Sequence, residues 1–410
     1  MLLSDRGLLS EETERDPHAY YAHLREHAPV HYDAGAGAYL ITRHADVSAA
    51  YRNPAFGTEN YAWQLEPAMG RTILQMSGRE HSGIRGVMTP YFRGRGLEAW
   101  LPLIHRTIVE LMTQSIRNGV DGLVERLVPG TRVDLAATFS HRLPVWVIAE
   151  VLGLPRSDYE LFYGWYQAQS EFLSNLARDP EVERRGAAAL TELRDYLRPL
   201  VQARRIEPGG DFISMLAAAR IDGRLLDDDE VMTHATHLLN AGSETTDRTL
   251  TNLVRHLLVR PERYAAVRDD RSLVLPAIVE TLRLTPPSQM NGRVVTEDVE
   301  IAGVPIPAGS FVLLVMASAN RDERRFTQPA EFVPGRADLD VASAFNGVGG
   351  HFAFGFGRHF CLGASVARSE LEVALNALLD AFPDMRLAPG FVPRDRGLKM
   401  RSPESLEVVL

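Results

Sequence analysis

Residues 354 to 363 read Phe354-Gly355-Phe356-Gly357-Arg358-His359-Phe360-Cys361-Leu362-Gly363, and a helical pattern from Ala364 to Ala381 follows before Pro383. Cys361 is the single cysteine of the 410-residue chain, so it can join neither an intrachain disulfide nor a multi-cysteine zinc or iron-sulfur site. A lone cysteine is commonly a small buried hydrophobe. Here the loop places it at a helix N-terminus, where exposed N–H groups and the positive end of the helix dipole stabilise a thiolate, the form that binds iron. Glycines 355, 357 and 363 permit unusual backbone angles and the close approach of a flat ligand. Two other readings fail. Gly355 and Gly357 imitate a dinucleotide loop, but Phe360 fills the third glycine position and no strand with an acidic residue follows. His351, His359 and Cys361 match no common zinc spacing.

The loop resembles the heme-binding signature of the cytochromes P-450, Phe-x-x-Gly-x-His/Arg-x-Cys-x-Gly, and matches it at every fixed position. The resemblance implies heme b as cofactor, with Cys361 as the iron ligand and Phe354, Gly355 and Gly363 beside the ring. Thiolate donation in that family favours O–O cleavage. It also implies a mainly α fold with a small β-rich region and a long central helix crossing the heme.

Outward from this loop, the longest helical pattern starts after Asp227, Asp228 and Asp229, whose charges suit a helix N-terminus, and runs until Pro261. Inside it lies Ala241-Gly242-Ser243-Glu244-Thr245-Thr246, where a mid-helix glycine costs about 1 kcal/mol relative to alanine. Close helix packing is one explanation; room for dioxygen beside a proton-relaying acid and hydroxyl is the other. The hexapeptide resembles the family's oxygen-activation motif, which implies catalytic roles for Glu244 and Thr245 and places Ala241 and Gly242 at the cofactor.

Glu280 and Arg283 share a face of a helix closed by Pro286 and Pro287. A surface salt bridge worth roughly 0.3–0.5 kcal/mol is the plain reading. Resemblance instead implies a buried Glu-x-x-Arg pair completed by Arg336, with the structural role of holding the cysteine loop. His81 and Arg85 resemble the family's His-x-x-x-Arg helix that contacts a heme propionate, and Arg293 and His359 match two further propionate partners. Burying carboxylates requires paired donors, and arginine suits bidentate contact. The segments 143–155 and 319–322 also look familiar.

Two strand-like regions interrupt the helices. Val30 to Thr42 reads as a hairpin about Gly35 and Gly37, and Val294 to Val315 as short extended pieces punctuated by Gly303, Pro305, Pro307 and Gly309. Length alone favours two or three compact units. The resemblance runs from about Asp16 to the C-terminus, and implies one domain over 1–410. Glu323 stands where many relatives have proline, and the stretch 345–350 is longer and more glycine-rich than usual.

Composition agrees with a small-molecule enzyme. Hydrophobic residues make up 45% of the chain, enough for a large core, and the net charge of −9 argues against nucleic acid. The N-terminus has neither a signal-peptide core nor a membrane span, so the expectation is a cytoplasmic protein without a membrane partner. No flavin, nicotinamide or iron-sulfur motif occurs, so electrons must come from outside. The resemblance implies ferredoxin or flavodoxin with its reductase, docking on the cysteine side where Arg93, Arg95 and Arg358 offer positive charge.

The implied activity is monooxygenation of a small organic substrate with dioxygen, as in bacterial secondary metabolism. A peroxide-driven peroxygenase is one rival, although such relatives commonly lose the acid and alcohol present here. A non-catalytic heme-thiolate scaffold is another. By resemblance the pocket draws on residues 57–80, 163–180, 235–245, 287–292 and 397–401. Trp63, Leu65, Met76, Phe172, Leu238, Gln289, Met290 and Met400 suggest a mainly apolar lining with a few polar contacts, and each could equally be ordinary core.

Overall fold

A computed structural model describes residues 7–113, 116–118, 123–125, 127–175 and 178–410. The first six residues of the N-terminus and residues 176–177 of one expected pocket segment lie outside the described residues. The fold is mainly helical, and the chain divides into two compact units.

The first unit comprises residues 1–60, 248–364 and 375–410. Its centre is a five-stranded sheet in the order Val30–Asp33, Ala38–Ile41, Phe311–Leu314, Asn291–Val295 and Phe56–Gly57. The hairpin expected around Gly35 and Gly37 pairs Val30 with Ile41 and Asp33 with Ala38. Phe311–Leu314 runs parallel to the second hairpin strand and antiparallel to Asn291–Val295.

Alternate side chains of the sheet enter two separate cores. Ile41, Val312 and Leu314 join Val47, Phe56, Val295 and Met316 in one, whereas Leu40 and Leu313 join Tyr20, Tyr21, Leu24 and Met290 in the other. A sheet covered on both faces needs apolar residues at successive positions, which is why Phe311 to Val315 reads as an unbroken apolar run. Beside it, Val299–Ile301 and Val304–Ile306 form a hairpin whose two turn residues, Ala302 and Gly303, have φ of 51° and 79°. Two left-handed residues are what a two-residue turn between twisted strands requires.

The second unit, residues 61–247 and 365–374, is built mainly of helices, including Leu143–Val151, Tyr159–Ser174 and Pro180–Ile206. Gly186 permits close packing, because a Cβ there would lie 2.7 Å from that of Phe172. The long helix spans Asp228–Leu258, with Pro261 opening the next helix. Its start is a reciprocal cap: Glu230 N donates to Asp227 Oδ1 and Asp227 N to Glu230 Oε2, both at 2.8 Å. The helix Ala364–Ala381 has the limits its sequence pattern predicts.

Candidate active site

In the first unit the cysteine loop is shaped by its own backbone. Gly355 and Gly357 adopt φ of 69° and 74°, a region that side chains with a Cβ rarely enter. The chain then closes on itself, with Cys361 N donating to Phe354 O at 3.0 Å. Half-buried Cys361 stands three residues ahead of the helix that begins at Ala364, and a Cβ on Gly363 would meet nothing within 4 Å.

The glycine-rich stretch before the loop packs directly on it. Phe345 lies 5.3 Å from Phe354 between ring centroids, and a Cβ on Gly347 would touch the Phe360 ring at 3.2 Å. At Gly349 a Cβ would sit 2.4 Å from the Ala344 backbone, so that position admits only glycine. Glu323, the other departure from the family pattern, accepts from Arg25 Nε at 3.1 Å.

Glu280 and Arg283 are 1% and 0% exposed in their side chains, which rules out the surface-pair reading. Arg283 donates to Glu280 Oε1 and Oε2 at 2.7 and 2.9 Å, while Arg336 Nε meets the same carboxylate at 3.1 and 3.2 Å and Val333 N donates to Oε1 at 2.9 Å. The remaining guanidinium donors of Arg283 reach the carbonyls of Asn320, Pro329 and Glu331 at 2.8–3.0 Å. Asn320 Oδ1 in turn accepts from Phe352 N at 2.9 Å, two residues before the cysteine loop starts. The charged cluster thus connects through Asn320 to the backbone that presents Cys361. Arg293 is buried in the same unit, 5.4 Å over the Tyr51 ring, and donates to Gly292 O at 2.6 Å. His359 ends a short turn of helix, Gly357–His359, and Arg358 beside it is exposed.

The second unit carries the acid and the alcohol. Glu244 is buried and accepts from Ser170 Oγ at 2.6 Å; Thr245 is half-buried, with Oγ1 donating to Ala241 O at 3.1 Å. One turn on, Asp247 lies 2.5 Å from His141 Nδ1 and accepts from Tyr166 at 2.9 Å. The two explanations of the mid-helix glycine now separate. A Cβ on Gly242 would meet Ile148 Cδ1 at 2.7 Å, so this glycine serves packing against Leu143–Val151, whereas the open position on the helix is Ala241. His81 and Arg85 lie one turn apart on Gly78–Met88, the first buried and the second half-buried. Arg93 and Arg95 are exposed.

The expected pocket residues scatter in their surroundings. Trp63 is 47% exposed, and Leu65 and Met76 are buried. Leu238 is also buried, and Phe172 packs on Gly186. Gln289 is buried with Nε2 donating to Pro286 O at 2.5 Å; Met290 belongs to the apolar core below the sheet, and Met400 pairs with Ser288 in an isolated β-bridge. Ser170 and Tyr166 lie in the expected pocket segment 163–180 and Asn320 in the familiar stretch 319–322, but neither they nor His141 were foreseen as hydrogen-bond partners, because nothing local marks them as partners of distant acids and amides.

The cysteine on its glycine-shaped loop offers a soft sulfur ligand of the kind that suits iron, and the long helix separately carries a buried acid next to an alcohol. The class so defined is the heme-thiolate oxygenases. The family model for cytochrome P450 matches residues 159–390. The chain is 35% identical over 404 residues to pulcherriminic acid synthase of Bacillus subtilis (strain 168), covering 98% of this chain and 97% of that protein. It is 38% identical over 408 residues to nocardicin C N-oxygenase of Nocardia uniformis subsp. tsuyamanensis, covering 96% and 95%. Among solved structures, ligand-free cytochrome P450 TbtJ1 superposes with a TM-score of 0.84 at 34% identity, covering 96% of each chain.

The chain belongs to the cytochrome P450 family. It is a heme-dependent monooxygenase, acting on an organic substrate with dioxygen and electrons from redox partners. Among the described residues no helix is long and apolar enough to cross a membrane.

Proposed function

We propose that this enzyme oxidises a small, largely apolar molecule in bacterial secondary metabolism, with both compact units acting as one catalytic domain. Support for the pathway comes from relatives whose names concern pulcherriminic acid, nocardicin C and cyclomarin C. Ferredoxin or flavodoxin, with its reductase, would supply the electrons in the cytoplasm, and exposed Arg93, Arg95 and Arg358 are the docking candidates.

In this reading Cys361 ligates the iron as thiolate, and the bound heme supplies activation of dioxygen and insertion of one oxygen atom into the substrate. His81, Arg85, Arg293 and His359 would pair with its two carboxylates. Phe354, Gly355, Gly363, Ala241 and Gly242 would be the residues beside the ring. Thr245 holds a proton at Oγ1, Glu244 resupplies it, and Ser170 orients the Glu244 carboxyl. Leu238, Met76, Phe172, Trp63, Gln289 and Met400 are the candidate substrate contacts.

The observation that carries this reading is the loop around Cys361, closed by the Cys361 N to Phe354 O bond and bordered by open space at Gly363. Reduction of the purified protein under carbon monoxide tests it. The expected result is the family's red-shifted band, abolished in Cys361→Ser together with monooxygenation; a fully active serine variant would overturn the assignment.

A further inference from the structure

Three asparagines of the chain, Asn118, Asn291 and Asn346, are followed by glycine. At such a step the backbone can attack the preceding side chain, because glycine has no Cβ to shield its nitrogen. Gly119 lies outside the described residues, and the other two steps, both in the first unit, have opposite surroundings.

Asn291 opens a strand of the five-stranded sheet, where it pairs with Leu314, and its Nδ2 donates to Tyr51 Oη at 2.8 Å. Closing a ring between that side chain and Gly292 N would break both contacts. Asn346 is instead exposed, in the glycine-rich stretch before the cysteine loop and outside every helix and strand. Its backbone N donates to Ser343 O at 3.2 Å, and its Oδ1 accepts from Val348 N at 3.3 Å. The second bond polarises the side-chain carbonyl and stabilises the oxyanion that forms when Cγ is attacked. Gly347, at φ of 90°, supplies the attacking nitrogen, and neither that nitrogen nor Asn346 Nδ2 donates a hydrogen bond among the described residues.

We propose that Asn346 is a site of spontaneous deamidation whose product loosens the cysteine loop. Gly347 N bonds to Asn346 Cγ, its proton leaves with the side-chain nitrogen as ammonia, and a five-membered succinimide remains. Water then opens either carbonyl and yields aspartate or isoaspartate. No oxidant or reductant takes part. Both products replace a neutral amide by a carboxylate, and isoaspartate also lengthens the main chain by one carbon atom.

The neighbours leave no slack for that atom. Phe345 packs on Phe354, a Cβ at Gly347 would touch the Phe360 ring, and Gly349 lies against the Ala344 backbone while its O accepts from Asp340 N at 3.3 Å. Phe360 directly precedes Cys361, so displacing the stretch disturbs the residue next to the cysteine. Deamidation at Asn346 therefore limits the lifetime of the loop.

The test holds the heme-loaded wild-type enzyme and Asn346→Gln at physiological temperature in mildly alkaline buffer and samples them over time. Each sample is mapped by mass spectrometry and for isoaspartate. The peptide with Asn346 should gain about 1 Da at least about tenfold faster than the peptide with Asn291, whose reaction requires local opening of the sheet. Anion exchange separates the more negative, deamidated wild-type fraction. Its carbon monoxide band should decay at least about twofold faster than that of the unmodified fraction, and Asn346→Gln should keep its mass and its band longest.

No conversion at Asn346, equal rates at Asn346 and Asn291, or a deamidated fraction whose band lasts as long as that of the unmodified enzyme would each overturn the proposal. Should Asn346→Gln fail to take up heme, the two wild-type fractions decide. An absent thiolate band in fresh enzyme defeats the reading of Cys361 instead, and the mass gain together with the denaturant midpoints of the two fractions then decides the deamidation.

Discussion

Two buried glutamates differ in what surrounds them. Glu280 sits among the guanidinium groups of Arg283 and Arg336 and a backbone N–H, and Arg283 continues the cluster into three carbonyls. Glu244 accepts from the hydroxyl of Ser170, a neutral group that orients it. A carboxylate enclosed by cations is a rivet, because every oxygen is committed and no proton can come or go cheaply. An acid beside a hydroxyl can exchange protons while staying oriented, which is what a relay needs. Two equally buried acids thus differ in their surroundings, cationic around Glu280 and including a hydroxyl at Glu244.

The sharpest way to break this contrast is Glu280→Ala, which strands two buried guanidinium groups. We expect a loss of roughly 3–5 kcal/mol in denaturant unfolding and failure to retain heme. A variant of wild-type stability would remove Glu280 from its structural role. Thr245→Ala should leave heme binding and stability intact within about 0.5 kcal/mol while most reductant goes to products other than oxidised substrate. Unchanged coupling would take Thr245 out of the relay.

Ser170→Ala should lower coupling several-fold and alter the solvent isotope effect on turnover, at a stability change of about 1 kcal/mol, with Ser170→Thr restoring most of the coupling. If Ser170→Ala changes stability but not coupling, the hydroxyl is merely structural.

A third acid extends the comparison. Glu370 is fully buried, and burial raises its pKa to about 8 although a side-chain hydrogen bond with Thr246 pulls the other way. Its folded pKa lies above the unfolded value, so the folded state binds more protons between about pH 4.5 and 8 and stability falls as pH rises through that window. Glu370→Gln should flatten this part of the pH–stability curve and be neutral or stabilising at pH 8. An unchanged slope would show that Glu370 does not titrate there.

What the sequence disclosed was local. The cysteine loop, the helix after it and the start of the long helix were legible because capping residues, glycines and helical spacing lie within a few positions of one another. The apolar run at Phe311–Val315 disclosed a strand, but not that its alternate side chains enter two cores, which depends on what covers each face. For the same reason Met290, suggested as a pocket residue, packs in the core with Tyr20 and Leu40. Glu280 was legible as a pair with Arg283 by i, i+3 spacing, yet its burial is set by Arg336 and Val333, more than fifty residues away. Ser170, Gln169 and Asn240 were invisible as partners, because only the packing of two helices makes them meet.

Gly242 and Ile148 carry an evolutionary consequence. A methyl group at 242 collides with the far end of the isoleucine side chain, so each position limits the volume available to the other. Gly242→Ala alone meets that collision, but after Ile148→Val or Ile148→Ala has opened space the same change becomes tolerable. The cost of Gly242→Ala then depends on what stands at 148, so the two positions are coupled and neither can be substituted as though the other were absent.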